Sequence, residues 1–81
     1  MHYVYCLINE ARSERRYVGY TTRLGDRIRA HNAGRNPSTS SLDPWRLLGY
    51  IAFGSKLQAL AFERYIKSGS GHAFRKKRLG W

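Results

Sequence analysis

The sequence has few cysteines, prolines and acidic residues: one, two and five respectively among 81 residues. The single cysteine, Cys6, cannot form a disulfide within the chain, and it excludes a zinc site built on paired cysteines. Five carboxylates against 15 lysines and arginines leave few ligands for a site that binds two divalent metal ions. We expect Cys6 to be a buried apolar residue rather than a reactive thiol.

The sequence also lacks long apolar runs. None approaches the length of about 20 residues that a membrane-spanning helix needs. The first residues, Met1 to Ile8, have no basic leader and too short an apolar run for a signal peptide. We therefore expect a soluble protein in the cytoplasm or associated with the nucleoid, and no membrane partner.

Positive charge is what the sequence has in excess, with a formal net charge of +10 that comes mostly from arginine. The planar guanidinium matches the geometry of phosphate oxygens better than the ammonium group of lysine does. A polyanion is therefore the expected partner, with nucleic acid ahead of an acidic membrane surface. A basic surface that only faces solvent and a ribosome- or RNA-associated accessory protein stay open as alternatives.

The periodicity of apolar residues predicts a single α/β domain over residues 1–81, of the α+β kind. Alternating aromatic and β-branched residues predict strands over 2–8, 16–21 and 45–53. With the predicted helices, the element order is β-β-α-β-α-α, a three-stranded antiparallel sheet flanked by helices. The polar stretch from Asn9 to Arg15 is typical of a hairpin loop between the first two strands.

The predicted hairpin determines which side chains share a face of the sheet. Residues that face each other across an antiparallel pair lie on one side. One face would then hold Val4, Cys6 and Ile8 with Val18 and Tyr20. The other face would hold Tyr3, Tyr5 and Leu7 with Tyr17 and Gly19, which places Tyr5 and Tyr17 side by side.

Helix boundaries follow from capping residues. Thr22 predicts the N-cap of a helix that runs to about Asn32, and Gly34 is a stop signal. The stretch from Gly34 to Pro44 contains both prolines and is predicted to be a loop. Ser55 with Gln58 forms a capping-box pattern that predicts the start of the next helix.

The C-terminal part of the chain predicts one further helix. A Ser-Gly-Ser-Gly run over 68–71 is expected to end the helix before it. Residues 72–79 then read as a short basic helix. We expect Trp45 and Trp81 to be packing residues, with stacking of Trp81 on an unpaired base as an alternative. His2 and His72 are expected at the surface.

Five residues form a pattern that suggests chemistry. Arg27 and His31 are spaced as neighbours on one face of a helix. Among the five acidic residues, Glu63 alone lies on an element that can pack against the strands. Together with Tyr5 and Tyr17, these residues provide a cation, two phenols, an imidazole and a single carboxylate. One carboxylate suits a single Mg²⁺ that keeps waters and binds substrate phosphate oxygens.

This ordered set resembles the GIY-YIG nucleases over nearly the whole chain. The first motif is Tyr3-Val4-Tyr5, in which Tyr3 and Val4 stand where glycine and isoleucine are usual. The second motif is Tyr17-Val18-Gly19. The ending over 62–71, followed by a basic segment, is similar to the small stand-alone members related to the excision-repair incision endonuclease.

The resemblance implies a metal-dependent endonuclease that hydrolyses DNA phosphodiester bonds with a tyrosine general base and one Mg²⁺ or Mn²⁺. A tyrosine has an ordinary pKa near ~10, so a nearby cation must lower the pKa for the phenol to act at neutral pH. The implied roles are Tyr17 as the base, Tyr5 as its hydrogen-bonding neighbour, Arg27 on the scissile phosphate, His31 in support and Glu63 as the metal ligand.

Nucleic-acid binding is assigned to basic residues near the C-terminus, Lys67, Arg75, Lys76, Lys77 and Arg78. They are expected to contact the phosphate backbone, which positions a substrate without reading its sequence. Lys67 has an alternative role as the partner of Glu63 one helical turn away. DNA is favoured over RNA as the ligand. A non-catalytic DNA- or RNA-binding module on the same fold remains the main alternative to a nuclease.

Overall fold

The computed structural model describes residues 1–34 and 44–81. The strands are β1 (His2–Asn9), β2 (Arg16–Thr21) and β3 (Trp45–Phe53), and they form one antiparallel sheet in the order β2-β1-β3. The helices are α1 (Leu24–Asn32), α2 (Lys56–Ile66) and α3 (Gly69–Phe74), and a π-helical turn (Arg75–Leu79) follows α3. The predicted element order and fold class are confirmed. The assignment of residues 1–81 to a single domain stays a prediction.

The register of β1 and β2 decides which side chains share a face. Cys6 is paired with Val18, and Leu7 is paired with Tyr17. One face of the sheet therefore carries Tyr5, Leu7 and Tyr17, and we call it the tyrosine face. The opposite face carries Val4, Cys6 and Val18 beneath Trp81, and we call it the tryptophan face. The predicted division of the two tyrosines from Cys6 is confirmed.

Helix α1 covers the tyrosine face. Its apolar residues Leu24 and Ile28 pack against the buried cluster of that face. The amide of Asn32 donates to the Trp45 carbonyl at 2.8 Å and accepts from the Trp45 N–H at 2.5 Å. This paired contact fixes the end of α1 against the start of β3, which holds the residues of the last α1 turn over the sheet.

Helix α2 and the C-terminal residues cover the tryptophan face. Ala59 and Ile66 are fully buried there, and Trp81 is 5 % exposed. A Cβ on Gly49 would lie 2.9 Å from Trp81 Nε1, so the glycine in β3 makes room for the indole. Trp45 is buried as well, on the tyrosine face. Packing roles for both tryptophans are therefore confirmed.

The boundary of α1 differs from the prediction. The N-cap is Arg23 rather than Thr22, and it makes no side-chain capping bond. Thr21 Oγ1 instead accepts from the Arg23 N–H at 3.0 Å, so the hydroxyl at the end of β2 turns the chain into the helix. Gly34 follows α1 with φ at 74°, a backbone conformation that favours glycine. The rest of the predicted loop from Gly34 lies largely outside the described residues.

The Ser-Gly-Ser-Gly run over 68–71 follows the end of α2 at Ile66 as predicted, but the predicted start of the next helix at His72 was wrong. Ser68 is the N-cap of α3, and its Oγ accepts from the Gly71 N–H at 3.3 Å. The run therefore begins a helix that we had expected to start at His72. The Ser55 cap of α2 is confirmed, since its Oγ accepts from the Gln58 N–H at 3.3 Å. No helix within the described residues is long and apolar enough to cross a membrane.

Candidate active site

Tyr5 lies at the centre of the tyrosine face and is fully buried. It faces Gly19 across the β1–β2 pair. A Cβ on Gly19 would lie 2.6 Å from the Tyr5 hydroxyl oxygen and 2.7 Å from its Cζ. The phenol ring therefore extends over the glycine of the edge strand. Gly19 of the second motif is therefore required for steric reasons, because a residue with a side chain would fit there only if Tyr5 moved.

His31 joins the two tyrosines from above the sheet. Its Nε2 lies 2.9 Å from the Tyr5 hydroxyl, and the imidazole is fully buried. The His31 ring centroid is 4.7 Å from that of Tyr17 and 5.9 Å from that of Tyr5, and both pairs are edge-to-face. The two tyrosine rings are 6.3 Å apart. Three aromatic rings thus form one contiguous cluster between α1 and β1–β2.

Arg27 and Glu63 act electrostatically on Tyr5 from two different helices. Burial raises the pKa of Tyr5 well above its usual value, and the Tyr17 phenol and the Glu63 carboxylate raise it further. The Arg27 guanidinium opposes this rise through its charge and a hydrogen bond to the hydroxyl. The structure therefore brings together all five residues for which the sequence predicted catalytic roles, and the roles themselves stay predictions.

The protonation states in the cluster follow from its burial. Tyr5 stays a neutral phenol at neutral pH because its pKa is raised. Burial lowers the pKa of His31, and the nearby Arg27 charge lowers it further, so the imidazole is neutral. A guanidinium can only donate hydrogen bonds. The buried phenol can then accept from Arg27 and donate its own proton to His31 Nε2.

Glu63 is the carboxylate in reach of this cluster, with a side chain that is 21 % exposed. The ammonium of Lys67 lies 3.1 Å from Glu63 Oε2, so the pairing considered for Lys67 is present. Within residues 1–34 and 44–81, no group of three or more histidines, cysteines or acids is placed to hold a metal ion. A lone, partly exposed carboxylate fits Mg²⁺ or Mn²⁺, which take oxygen ligands and can complete their shell with water and phosphate.

The basic residues assigned to nucleic-acid binding are arranged around the C-terminal helices. Lys76, Lys77 and Arg78 are exposed in the π-helical turn, whereas Arg75 is partly buried. Lys67 is exposed at the end of α2, and its ammonium forms an ion pair with Glu63. The nucleic-acid-binding role of all five residues stays a prediction.

Two features were missed from the sequence. His2 was expected at the surface without a partner, but its Nδ1 lies 2.8 Å from the Tyr20 hydroxyl and the two rings stack. Tyr20 pairs with Val4, so His2 lies diagonally opposite Tyr20 on the same face of the sheet. The predicted strand pairing was therefore sufficient to predict this contact. Arg16 was given no role, although it begins β2 directly before Tyr17 and is partly buried.

Comparisons with known proteins agree with the geometry. Residues 1–78 match the GIY-YIG catalytic domain family. A UPF0213 protein of Haloquadratum walsbyi is 41 % identical over 68 residues, covering 83 % of this chain and 74 % of that protein. A UPF0213 protein of Halalkalibacterium halodurans is 37 % identical over 78 residues, covering 95 % of this chain and 77 % of that protein.

A third relative carries a functional name. The structure-specific endonuclease subunit SLX1 homolog of Giardia intestinalis is 40 % identical over 65 residues. The similarity covers 73 % of this chain but 18 % of that much longer protein. No solved structure is similar enough to count as a match.

Proposed function

Because the chain belongs to the GIY-YIG family of nucleases, we propose that it is a metal-dependent endonuclease that hydrolyses DNA with Tyr17 as general base. The observation that carries this proposal is the cluster in which Tyr5, Tyr17 and His31 meet beside Arg27 and Glu63. Phosphodiester hydrolysis needs an activated water, neutralisation of charge on the phosphate and help for the leaving oxygen. The cluster contains a residue suited to each requirement.

The two tyrosines differ in exposure, and their proposed roles differ accordingly. Tyr17 is partly exposed at the edge strand, so its hydroxyl can lose its own proton to solvent, and the resulting phenolate can take a proton from an attacking water. Tyr5 is fully buried and neutral, which excludes it as the base. Tyr5 acts instead as a positioning residue, since its hydroxyl links the Arg27 guanidinium with the His31 imidazole. His31 in turn holds the Tyr17 ring through their edge-to-face contact.

Arg27 is the proposed ligand of the scissile phosphate. Its side chain lies on the exposed surface of α1, one turn before His31, while its guanidinium reaches the Tyr5 hydroxyl. A guanidinium held in this way can donate to two phosphate oxygens at once. It then stabilises the negative charge that develops on the phosphate in the transition state.

Glu63 would hold the Mg²⁺ or Mn²⁺ ion, and the bound ion would supply charge neutralisation at the leaving oxygen. The carboxylate suits this role because it is partly exposed and lies beside the tyrosine cluster. Its ion pair with Lys67 is made through Oε2. Release of Lys67 from Glu63 would free an ammonium group for the substrate backbone.

DNA is the proposed substrate, and the basic turn around Lys76, Lys77 and Arg78 is its proposed backbone contact. The SLX1 homolog is named a structure-specific endonuclease subunit, which supports a DNA structure as the target. A cytoplasmic or nucleoid-associated location would be consistent with that substrate.

The ion pair between Glu63 and Lys67 favours a second candidate function. If Lys67 keeps the carboxylate neutralised at all times, the site cannot recruit a metal ion. The protein would then be a DNA- or RNA-binding module on a nuclease fold. The same basic surface would serve both functions, so only a cleavage assay separates them.

The test is a panel of labelled DNA and RNA structures incubated with Mg²⁺, Mn²⁺ or EDTA. The nuclease proposal predicts metal-dependent cleavage that falls on the order of 10²-fold or more in Glu63→Gln, with binding retained. Glu10→Gln is the matched control, because Glu10 lies in the hairpin loop and pairs with Arg46. Cleavage that persists in EDTA would exclude the metal mechanism. Binding without cleavage across the panel would establish the binding module instead.

A further inference from the structure

A basic cavity lies between the start of β2 and the C-terminal helices. It has a volume of about 530 Å³. Its lining includes four permanent cations and a histidine against one carboxylate: Arg15, Arg16, His72, Arg75, Lys76 and Glu14. We call it the arginine pocket. Trp81 also lines it, which places the pocket at the border of the tryptophan face.

Two of the arginines that line the pocket carry buried nitrogens that the protein does not satisfy. Nε and Nη1 of Arg16 and Nε of Arg75 are buried and have no hydrogen-bond partner within residues 1–34 and 44–81. Buried polar groups in proteins almost always have hydrogen-bond partners, and a buried charged group without one costs the most free energy. Guanidinium nitrogens can only donate, so the missing partner has to supply acceptor oxygens.

The two guanidinium groups converge although they come from distant parts of the chain. Both act electrostatically on the Cys6 thiol, whose burial nevertheless raises its pKa to about 11. Cys6 is fully buried in the central strand, so the two arginines approach one point beneath the pocket from β2 and from the π-helical turn. Arg16 also precedes Tyr17 in an edge strand, where adjacent side chains point to opposite faces. The pocket is therefore separate from the tyrosine cluster.

We propose that the arginine pocket binds a phosphate group. The three orphaned nitrogens belong to two side chains, and the divergent oxygens of a tetrahedral oxyanion can accept from both of them. Two guanidinium groups with a neighbouring lysine provide the charge-assisted contacts that phosphate prefers. The ligand is either a terminal phosphomonoester or a backbone phosphodiester of a nucleic acid. The proposal does not depend on cleavage, since none of these residues belongs to the tyrosine cluster.

The first test is an NMR titration with inorganic phosphate that follows the arginine Nε–Hε resonances. The resonances of Arg16 and Arg75 should shift and saturate, whereas that of the exposed Arg12 should not. The double variant Arg16→Gln/Arg75→Gln should weaken phosphate binding at least tenfold. The matched control Arg12→Gln/Arg64→Gln removes the same charge from exposed positions outside the pocket. Equal weakening in both double variants, or no saturable shift in the wild type, would overturn the proposal.

Folding of the variants needs its own check, because both arginines are partly buried. Arg16→Lys keeps the charge and removes the guanidinium fork, so it should also weaken phosphate binding if the site recognises oxygen geometry. The Trp81 indole resonance reports whether the neighbouring packing is intact. A variant that binds phosphate as the wild type does, with an unchanged Trp81 resonance, would contradict the assigned donors.

The second test separates the two sources of phosphate. Oligonucleotides of one sequence carry a 5′-phosphate, a 3′-phosphate or no terminal phosphate, and Tyr17→Phe protein is used so that none is cut. A loss of affinity in Arg16→Gln/Arg75→Gln that is confined to phosphorylated ends would assign a phosphomonoester. An equal loss for all three, larger than in the control double variant, would assign the backbone. No loss for any of them would overturn a nucleic-acid ligand, whether or not the wild type cleaves DNA.

Discussion

The two faces of the sheet solve the same packing problem with different chemistry. The tyrosine face buries a phenol and an imidazole, and it covers them with a helix that also carries Arg27. The tryptophan face buries apolar side chains and a thiol under α2 and Trp81. Burying polar groups is unfavourable unless each one is hydrogen-bonded, whereas apolar burial stabilises directly. The comparison suggests that one face supplies stability and the other supplies reactivity.

Both faces place an aromatic ring over a glycine of an edge strand. Tyr5 lies over Gly19 of β2, and Trp81 lies over Gly49 of β3. In each pair a Cβ on the glycine would approach a ring atom to less than 3 Å, with 2.7 Å to Tyr5 Cζ at Gly19 and 2.9 Å to Trp81 Nε1 at Gly49. The geometry is shared, but only on the tyrosine face does the ring end in a hydroxyl with a polar partner within 2.9 Å.

The largest expected effect is the difference between substitutions at two adjacent residues of β2, Tyr17 and Val18. Tyr17→Phe removes one hydroxyl from the tyrosine face, so cleavage should fall on the order of 10²-fold with little change in stability. Val18→Ala removes two methyl groups from the tryptophan face and should lower the free energy of unfolding by about 2 kcal/mol. Cleavage rates and chemical denaturation of both variants provide the measurements.

Two outcomes would contradict this division of catalysis and stability between the two faces. Cleavage by Tyr17→Phe at the wild-type rate would remove Tyr17 from the role of general base. A comparable loss of cleavage in a folded Val18→Ala protein would show that the tryptophan face also controls the chemistry. Tyr5→Phe should cost less activity than Tyr17→Phe, because it removes a positioning contact alone.

A second prediction concerns the junction of α2 and α3, which completes the tryptophan face. A Cβ on Gly71 would lie 1.7 Å from the Tyr65 carbonyl oxygen, so Gly71→Ala forces two helices apart. We expect a loss of about 3 kcal/mol in the free energy of unfolding. Gly69→Ala is the control, since a Cβ there meets nothing within 4 Å. Thermal unfolding that is equal for both variants would contradict the close helix contact.

Much of the sheet could be predicted from the sequence because its signals are local. Alternation of apolar residues marks β1 and β2, and the short polar loop between them restricts their pairing. Alternation alone separates Tyr5 from Cys6. The register places Tyr17 on the same face as Tyr5. The approach of His31 and Glu63 to these tyrosines was inferred from the family resemblance, since spacing within a helix does not reveal where the helix docks.

Features that depend on three-dimensional contacts could not be predicted. The start of α3 at Gly69 requires close contact between Gly71 and the end of α2, and a Ser-Gly-Ser-Gly run looks locally like a linker. The convergence of Arg16 and Arg75 joins residues far apart in the chain. Each arginine alone is typical of a solvated basic surface, so the pocket has no signature in the sequence.

The pH dependence of stability tests whether the polar burial on the tyrosine face is as described. His31 is buried, and its pKa is lowered by burial and by Arg27. An unfolded histidine takes up a proton near pH ~6.5, whereas folded His31 does so at lower pH. The contribution of His31 to stability should therefore be complete above pH ~6.5. It should be lost as the pH falls through the lower pKa of His31 in the folded protein.

The measurement is thermal unfolding of the wild type, His31→Gln and His72→Gln between neutral and acidic pH. His31→Gln should lose less stability on acidification than the wild type does, because it has no imidazole to protonate. His72→Gln controls for the removal of one exposed histidine. An identical slope for the wild type and His31→Gln would show that His31 does not resist protonation in the folded protein.

The smallest expected effect concerns Lys67, which links the tyrosine cluster to the basic surface. Lys67→Gln breaks an ion pair whose lysine side chain is 49 % exposed, so stability should fall by no more than about 0.5 kcal/mol. If the ammonium contacts a backbone phosphate in the complex, the salt dependence of DNA binding should weaken by about one unit of slope. Lys56→Gln is the control, because Lys56 is exposed at the opposite end of the same helix. An unchanged slope would leave Lys67 as a partner of Glu63 alone, and the proposed backbone contact would then rest on the π-helical turn.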